Sequence, residues 1–292
     1  MRIVMAGSSG YLGGALRRAL EGNDIVRLVR RTPRDDDEIQ WDPYRDPLDP
    51  SILDGVDAVV NLGGASIGGR RWNAAYKRHI RASRVVPTGV LSEAVARAEV
   101  PLLVNASAAG WYGDRADVPV DERTPAAADY LGTTALAWEQ ATAPAQEAGS
   151  RVIRLRTGHV LGPGSELLAR LIPTYKFFLG GRFGSGRQFV PWISLRDWVS
   201  AVELLLDSDV DGPVNMVGPT PTRNREFTKA LGAVLHRPAP WIIPGWAARL
   251  VAGEAAVEML RGADVRPAVL EAKGFEYKDS TVLDALEWSL GH

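Results

Sequence analysis

The chain has 292 residues, 46% of them hydrophobic and 24% charged, and a formal net charge of -1 at pH 7. This length and composition suit one large α/β domain with a smaller appended lobe, and the small net charge excludes the basic field that nucleic acids or anionic membranes require. The chain contains no cysteine, which excludes disulfides, thiolate zinc sites and a cysteine nucleophile.

Nothing in the sequence predicts a metal centre or a targeting segment. The four histidines (His79, His159, His236 and His292) lack metal-ligand spacing, so we expect no metal. The chain enters a strand directly, without the charged and apolar regions of a signal peptide, and no apolar run approaches the ~20 residues of a membrane span. We therefore expect a cytoplasmic protein that acts on a small-molecule substrate, with neither nucleic acid nor membrane as a partner.

The first half of the chain alternates between strand and helix patterns. The alternation predicts an α/β fold, a doubly wound parallel sheet of the Rossmann type. Pro87 either kinks a long helix or begins a second one. The predicted strands are 2–6, 24–30, 58–62, 102–106 and a strand within 151–164, and the predicted helices are 11–20, 73–98 and 130–148.

After about residue 164 the pattern loosens. Residues 180–198 are rich in glycine and aromatics and indicate loops and short strands, 195–209 are an amphipathic helix, and 212–218 are one more strand. We predict a cofactor-binding domain at 1–164, to which parts of 190–220 return, and a mostly helical, substrate-binding C-terminal lobe at 165–292.

The first strand leads into three evenly spaced glycines and then a helix. In such a loop Gly7 permits the tight turn, Gly10 lets the backbone approach a pyrophosphate, and Gly13 allows close packing of helix and strand. The helix N-terminus adds free N–H groups and partial positive charge. We predict that the loop binds a dinucleotide, with Ser9, Tyr11 and Leu12 as further contacts.

The end of the second strand indicates which dinucleotide is bound. An acid at this place binds the ribose 2′-hydroxyl of NAD, whereas a cation accommodates the 2′-phosphate of NADP. The strand ends in Arg30 and Arg31, and the planar guanidinium group suits phosphate. We predict NADP(H), held by these two residues; the alternative is that both only face solvent.

Several stretches together are similar to the extended short-chain dehydrogenases/reductases. "NLGGA" at 61–65 resembles the turn after their fourth strand, "NASAAGWYGD" at 105–114 resembles their Ser-x-x-x-Tyr-Gly segment, and "RLRTGHVLGPG" at 154–164 resembles their Arg-to-Gly-Pro-Gly strand. The stretches 180–198 and 266–286 resemble one atypical subgroup, the NAD(P)-dependent epimerase-like family with its own C-terminal domain.

The resemblance covers nearly the whole chain. It implies a Rossmann fold and NADP(H) binding, and it leaves a homodimer open. It also implies cofactor contacts beyond the glycine loop, at Leu62, Gly63, Gly64, Ala106 and Pro163.

The wider superfamily uses a Tyr-x-x-x-Lys pair that this chain lacks. Placing Glu139 on the superfamily's usual glutamate puts Leu131 at the tyrosine site and Ala135 at the lysine site. Tyr130 is one residue out of place, and Thr134 follows it at the lysine spacing. A site without the lysine favours reduction, in which the oxygen gains a proton, over alcohol oxidation.

Other residues are therefore candidates for the chemistry. Ser107 matches the superfamily serine that hydrogen-bonds the substrate oxygen, His159 follows the "RTG" stretch at a strand end near the nicotinamide, and Tyr130 begins a helix at the cleft. The predicted substrate contacts are Tyr112, Arg187 and Trp192. Most of the cationic segment 70–84 is interpreted as a solvated helix face; the alternative is that Arg70 or Arg71 approaches the cofactor.

The sequence leaves three functions open. The first is an NADP(H)-dependent oxidoreductase acting on a carbonyl or hydroxyl of a small metabolite. The second is an epimerase of the sugar-nucleotide type, and the third is a non-catalytic NADP(H)-binding sensor or partner protein.

Overall fold

A parallel sheet of seven strands organises the fold. The computed structural model describes residues 1–291, except for the side chain of Val251; His292 lies outside this range. The strands are β1 (Arg2–Ala6), β2 (Asp24–Val29), β3 (Glu38–Gln40), β4 (Ala58–Asn61), β5 (Leu102–Ala108), β6 (Pro119–Val120), β7 (Arg151–Thr157), β8 (His159–Leu161), β9 (Gly181–Phe183), β10 (Trp192–Ser194), β11 (Gly212–Met216), β12 (Trp241–Ile243) and β13 (Asp264–Val265).

Helices cover the sheet. No helix within residues 1–291 is long and apolar enough to cross a bilayer. The helices are α1 (Tyr11–Ala19), α2 (Ala74–Arg97), α3 (Tyr130–Gln140), α4 (Ala143–Glu147), α5 (Glu166–Lys176), α6 (Leu195–Leu206), α7 (Asn224–Val234), α8 (Gly245–Ala252), α9 (Val257–Leu260), α10 (Ala268–Ala272) and α11 (Val282–Leu290), with short 3-10 turns at Pro50–Leu53, Ala109–Tyr112 and Gly253–Ala256.

The strand order in the sheet is β11-β7-β5-β4-β1-β2-β3, and every pair is parallel. This confirms the predicted doubly wound α/β fold. Successive residues of β1 serve opposite faces, because side chains alternate along a strand. Ile3 and Met5 pack with Leu16 and α6 on one side, and Val4 packs with Leu91 of α2 on the other. Burial on both faces explains the continuous apolar runs.

Two prolines act differently within the helices. Pro87 lies inside the single helix α2, whose flanking residues Thr88 and Leu91 are buried, so packing holds the helix across the proline. The predicted helix 130–148 is instead two helices, and Pro144 lies in the first turn of α4, where a missing N–H costs no hydrogen bond.

The second half of the chain both completes the sheet and builds an attached layer. β11 extends the sheet beside β7. β8 pairs with β10 and β9 with β12, and Phe227, Leu231 and Leu286 of α7 and α11 form a separate core there. β13 returns to pair with β6. The segment from α8 to β13 is thereby brought back towards the first half.

Candidate functional site

A crevice forms where the chain reverses its direction across the sheet. β1 lies between β2 and β4. From β1 the chain adds β2 and β3 towards one edge of the sheet; it then crosses back to β4 and adds the remaining strands towards the other edge. In open parallel sheets, ligands bind beyond the carboxyl ends of the strands at such a switch point. The loops after β1, β2, β4, β5 and β7 all begin at this edge, and they carry the predicted cofactor residues.

The glycine loop after β1 is closed by backbone contacts. Gly7 has φ +81°, and a Cβ on it would lie 2.7 Å from the carbonyl carbon of Leu62. A Cβ on Gly13 would lie 2.2 Å from the carbonyl oxygen of Gly7. Both positions need glycine because backbone atoms cannot give way. The loop therefore presses the start of α1 against the ends of β1 and β4.

The start of α1 is prepared for an anion. Its N-cap is Gly10, no side chain caps it, and no acidic residue lies in its first turn. The hydroxyl of Tyr11 lies beside Gly162, and its ring lies beside Gly164; the hydroxyl is buried and has no hydrogen-bond partner in the described chain. Burial raises the pKa of Tyr11 to about 12. Free amides and an orphaned hydroxyl fit a dinucleotide whose phosphates sit over the helix end.

The two arginines after β2 differ in their surroundings. Arg30 is exposed, and its guanidinium makes no hydrogen bond or ion pair with any described residue. Arg31 makes a bidentate pair with Glu38 of β3, with a 2.6 Å bond from Nη1 and a 2.5 Å bond from Nη2. Arg27 joins the same carboxylate at 2.9 Å. Arg31 is thus engaged in structure, whereas Arg30 is available to a ligand.

The Glu38 carboxylate is expected to make the stability of the fold sensitive to acid. Its hydrogen bonds from Arg31 and from the backbone of Arg34 hold the pKa of Glu38 at about 2, below its ordinary 4.5. Because the folded pKa is the lower one, this stability is present above pH 4.5 and is lost as the pH falls towards 2. Between pH 4.5 and 2, the free energy of unfolding measured with urea should fall less for Glu38→Gln than for the wild type. The exposed-site control Glu21→Gln should keep the wild-type dependence; equal slopes for both variants would contradict the prediction.

Comparison with known proteins agrees with this geometry. Residues 3–218 match the NAD dependent epimerase/dehydratase family, and residues 243–289 match a domain of unknown function, DUF1731. The chain belongs to the NAD-dependent epimerase/dehydratase family. The "Epimerase family protein Mb2239" of Mycobacterium bovis is 45% identical over 98% of this chain and 97% of its own, and the "Epimerase family protein SDR39U1" of Bos taurus is 35% identical over 95% of both.

A solved relative shows the same architecture. The crystal structure of the human epimerase family protein SDR39U1 with NADPH superposes with a TM-score of 0.91 at 28% identity, covering 100% of both chains. This confirms the predicted resemblance and the Rossmann-type fold. Membership of the family gives the chain a general NAD(P)-dependent, oxidoreductase or epimerase-like function.

Within this epimerase-type site, Ser107 is committed to a buried ion pair. Its Oγ donates a 2.6 Å hydrogen bond to Glu139, and Glu139 accepts two bonds from Arg156, at 2.8 and 2.9 Å. All three residues are at most 6% exposed. Because a hydroxyl has one proton, Ser107 does not donate to a substrate oxygen here. Ser107 thereby joins β5 to α3, and its catalytic role stays a prediction.

Tyr112, predicted as a substrate contact, is also part of this buried interior. It is 0% exposed; its hydroxyl donates to Asn215 at 2.6 Å and accepts from Arg156 at 3.1 Å. Trp192, predicted as a substrate contact, is 2% exposed and donates to Thr222 at 2.8 Å. Both rings are enclosed by core, and their roles as substrate contacts stay predictions.

Tyr130 lies beside the position of the missing tyrosine on α3. Leu131 of α3 lies against the backbone of Gly110, which follows β5. Glu139, the acceptor for Ser107, lies on the same face of α3. Tyr130 is one position round the helix, and its hydroxyl donates to the Lys77 carbonyl of α2 at 2.7 Å. With its proton donated to the backbone, Tyr130 links α3 to α2, and its catalytic role stays a prediction.

The remaining candidates are nearer to solvent. His159 begins β8 half-buried, and burial lowers its pKa. Its role as a general acid stays a prediction. Arg187 is exposed and lies 3.2 Å from Asp117, which Arg223 also contacts at 2.8 Å. A substrate role for Arg187 stays a prediction.

One cation of the segment 70–84 is buried, contrary to the sequence-based interpretation. Arg84 is 8% exposed, not on a solvated face. Its position was legible in the sequence: Ile80, Arg84 and Thr88 follow one another every four residues and precede Leu91 on the same buried stripe of α2. An arginine on an apolar stripe is the signal that the sequence offered.

Proposed function

We propose that the protein is an NADP(H)-dependent reductase of a carbonyl group on a small metabolite. The unpaired guanidinium of Arg30, at the end of β2, is the observation that carries the proposal. Its place is the one from which a cation reaches the adenosine 2′-phosphate, and no acid competes for it there. The human relative that contains NADPH supports the same choice.

The residues around the crevice would divide the work of holding the dinucleotide. The amides that begin α1 would bind the bridging phosphates, the backbone after β4 would pass beside the nicotinamide half, and Tyr11 would gain a partner for its hydroxyl. The bound dinucleotide would supply the hydride. The absence of a Tyr-x-x-x-Lys pair favours reduction, because the site then lacks the base that alcohol oxidation needs.

Replacing Arg30 tests the cofactor assignment. We expect Arg30→Ala to raise the dissociation constant for NADPH about 10- to 100-fold, because one charge-assisted contact to phosphate contributes ~1.5–3 kcal/mol. The dissociation constant for NADH should not change. Titration of nicotinamide fluorescence measures both. Arg97→Ala, exposed at the far end of α2, is the matched control. An Arg30→Ala protein with wild-type preference would refute the assignment.

Turnover separates the reductase from its alternatives. NADPH fluorescence is followed while a panel of ketones and quinones is added to the purified protein. Loss of signal with formation of the alcohol supports the reductase. Interconversion of a sugar nucleotide without net loss of NADPH would instead identify an epimerase. Tight NADPH binding without turnover would favour the sensor, which the missing Tyr-x-x-x-Lys pair keeps as the second candidate.

A further inference from the structure

A cavity of about 370 Å³ opens in the attached layer that the second half of the chain builds. It is bounded by β9, by α7 and by the turn that leads from α7 to β12. Its volume lies within the ~300–1,000 Å³ range of small-molecule pockets. None of its lining residues belongs to the predicted cofactor or substrate contacts, so the cavity is a different place from the crevice at the switch point.

The charged residues that line this cavity all have one sign. Four are cations and none is an acid; the lining also includes His236. Among the four, only Arg225 has an ion pair within residues 1–291, to Glu226 at 3.6 Å, and both side chains of that pair are about half exposed. Because an exposed pair contributes little, the described chain does not neutralise the cavity. The four cations are Arg182, Arg225, Lys229 and Arg237.

The backbone brings three of these cations to one wall. A Cβ on Gly186 would lie 3.0 Å from the Cβ of Arg225 and 3.1 Å from the Cδ of Arg182, so the two side chains lie beside the same point. Arg225 and Lys229 are four positions apart on α7 and therefore share a face of the helix. Like charges at this spacing repel each other, and an anion bound between them would remove the repulsion.

The turn after α7 adds the fourth cation, Arg237. Its backbone amide donates to the Gly232 carbonyl at 2.9 Å, which fixes the turn. Its Cζ lies 5.2 Å from the ring centroid of Phe178, and its Nη1 donates to the His236 carbonyl at 2.9 Å. Its Nε is buried with no hydrogen-bond partner in the described chain. A buried N–H without an acceptor is costly, so an anion beside this guanidinium would stabilise it.

An aromatic surface adjoins the same cavity. Trp241, the first residue of β12, lines the cavity and is 55% exposed. Its indole N–H donates to the Phe178 carbonyl at 2.7 Å, which holds the ring in place. Phe177, Phe178 and Leu179 are also more than half exposed. Exposed apolar side chains that lie together mark binding surfaces, and here they lie beside the cations.

We propose that this cavity binds the phosphate group of an organic molecule whose apolar part lies against Trp241. Arginine and lysine bind phosphate, and the planar guanidinium donates two parallel hydrogen bonds to it. Arg182 uses only its Nη1, on the Ser185 carbonyl at 2.5 Å, so its other donors are available. Two sources carry this chemistry: a soluble phosphate ester, such as a nucleotide, and the headgroup of an anionic phospholipid. The site does not depend on the proposed reductase chemistry.

Calorimetric titration with AMP tests the soluble source. We expect the wild type to bind AMP and Lys229→Gln to raise the dissociation constant about 10-fold, the effect of one charge-assisted hydrogen bond. The double variant Arg182→Gln/Arg237→Gln should raise it about 100-fold or more. Arg249→Gln, exposed on α8 and outside the cavity, is the matched control and should bind as the wild type does. Thermal unfolding checks each variant; Lys229 is exposed on α7, so its variant decides the test if the double variant unfolds.

Flotation with lipid vesicles tests the other source. Phosphatidylcholine vesicles that contain phosphatidic acid are compared with vesicles of phosphatidylcholine alone. Binding that requires phosphatidic acid and weakens in Lys229→Gln, without binding of AMP, would assign the cavity to a lipid headgroup.

Three results would overturn the proposal. The first is a wild-type protein that binds neither AMP nor the vesicles with phosphatidic acid. The second is binding that neither Lys229→Gln nor the double variant weakens. The third is AMP binding that Gly13→Ala abolishes and Lys229→Gln keeps, because the phosphate would then be held at the glycine loop after β1.

Discussion

Glu139→Ala is expected to lower the free energy of unfolding by about 3–5 kcal/mol, because it leaves a buried charge unpaired. The Arg156 side chain is 3% exposed and stacks 3.7 Å from the ring centroid of Trp111. Removing the carboxylate also takes the acceptor from Ser107. This loss is a large share of the ~5–15 kcal/mol typical of a domain. Urea unfolding monitored by tryptophan fluorescence measures it.

Two controls isolate the cause. Arg45→Ala removes the exposed pair with Asp42 and should change stability by no more than about 0.5 kcal/mol. The double variant Glu139→Leu/Arg156→Met removes both charges and should recover much of the single variant's loss. A single variant within about 1 kcal/mol of the wild type would show that the pair is dispensable, since unpaired burial costs more.

Gly13→Ala is expected to weaken NADPH binding about 100-fold or more, the worth of one or two charge-assisted hydrogen bonds. The new Cβ would lie 2.2 Å from the Gly7 carbonyl oxygen and 2.8 Å from the Ser8 Cα. Because both neighbours are backbone, the start of α1 must move away from the strand ends. The pyrophosphate would then lose the amides that face it.

A second glycine provides the control for this substitution. Gly22 has nothing within 4 Å of its Cβ position, so Gly22→Ala should leave both NADPH affinity and melting temperature unchanged. Fluorescence titration gives the affinity and calorimetry gives the melting temperature. Wild-type affinity in Gly13→Ala would mean that the dinucleotide is not held at this helix end.

The sequence alone predicted those features of the protein that depend on local patterns. Apolar runs located β1, β4 and β5 to within two residues, since a strand buried on both faces must be apolar throughout. The glycine spacing predicted the loop at the switch point, because close backbone contacts exclude every other side chain at Gly7 and Gly13. The motifs between residues 61 and 286 were enough to predict the family.

The hydrogen-bond partners of the polar side chains depended instead on how separate strands and helices come together. The short strand β3, which the sequence analysis did not predict, brings Glu38 to Arg31. The fold likewise gives the Ser107 hydroxyl to Glu139 and the Tyr130 hydroxyl to Lys77. Each of these side chains has a group suited to a functional site, but each is already hydrogen-bonded to another residue of the fold. No local sequence pattern shows these bonds.

By itself, then, the sequence determined the parallel sheet, the glycine loop and the family, because strand burial, glycine spacing and turn chemistry act between near neighbours along the chain. The tertiary structure alone decided which polar groups are free. It gave Ser107, Tyr112 and Tyr130 hydrogen-bond partners on other elements, and it left the guanidinium of Arg30 without an ion pair among the described residues. The physical reason is that a side chain's availability depends on burial and on long-range contacts, which exist only once the helices pack on the sheet.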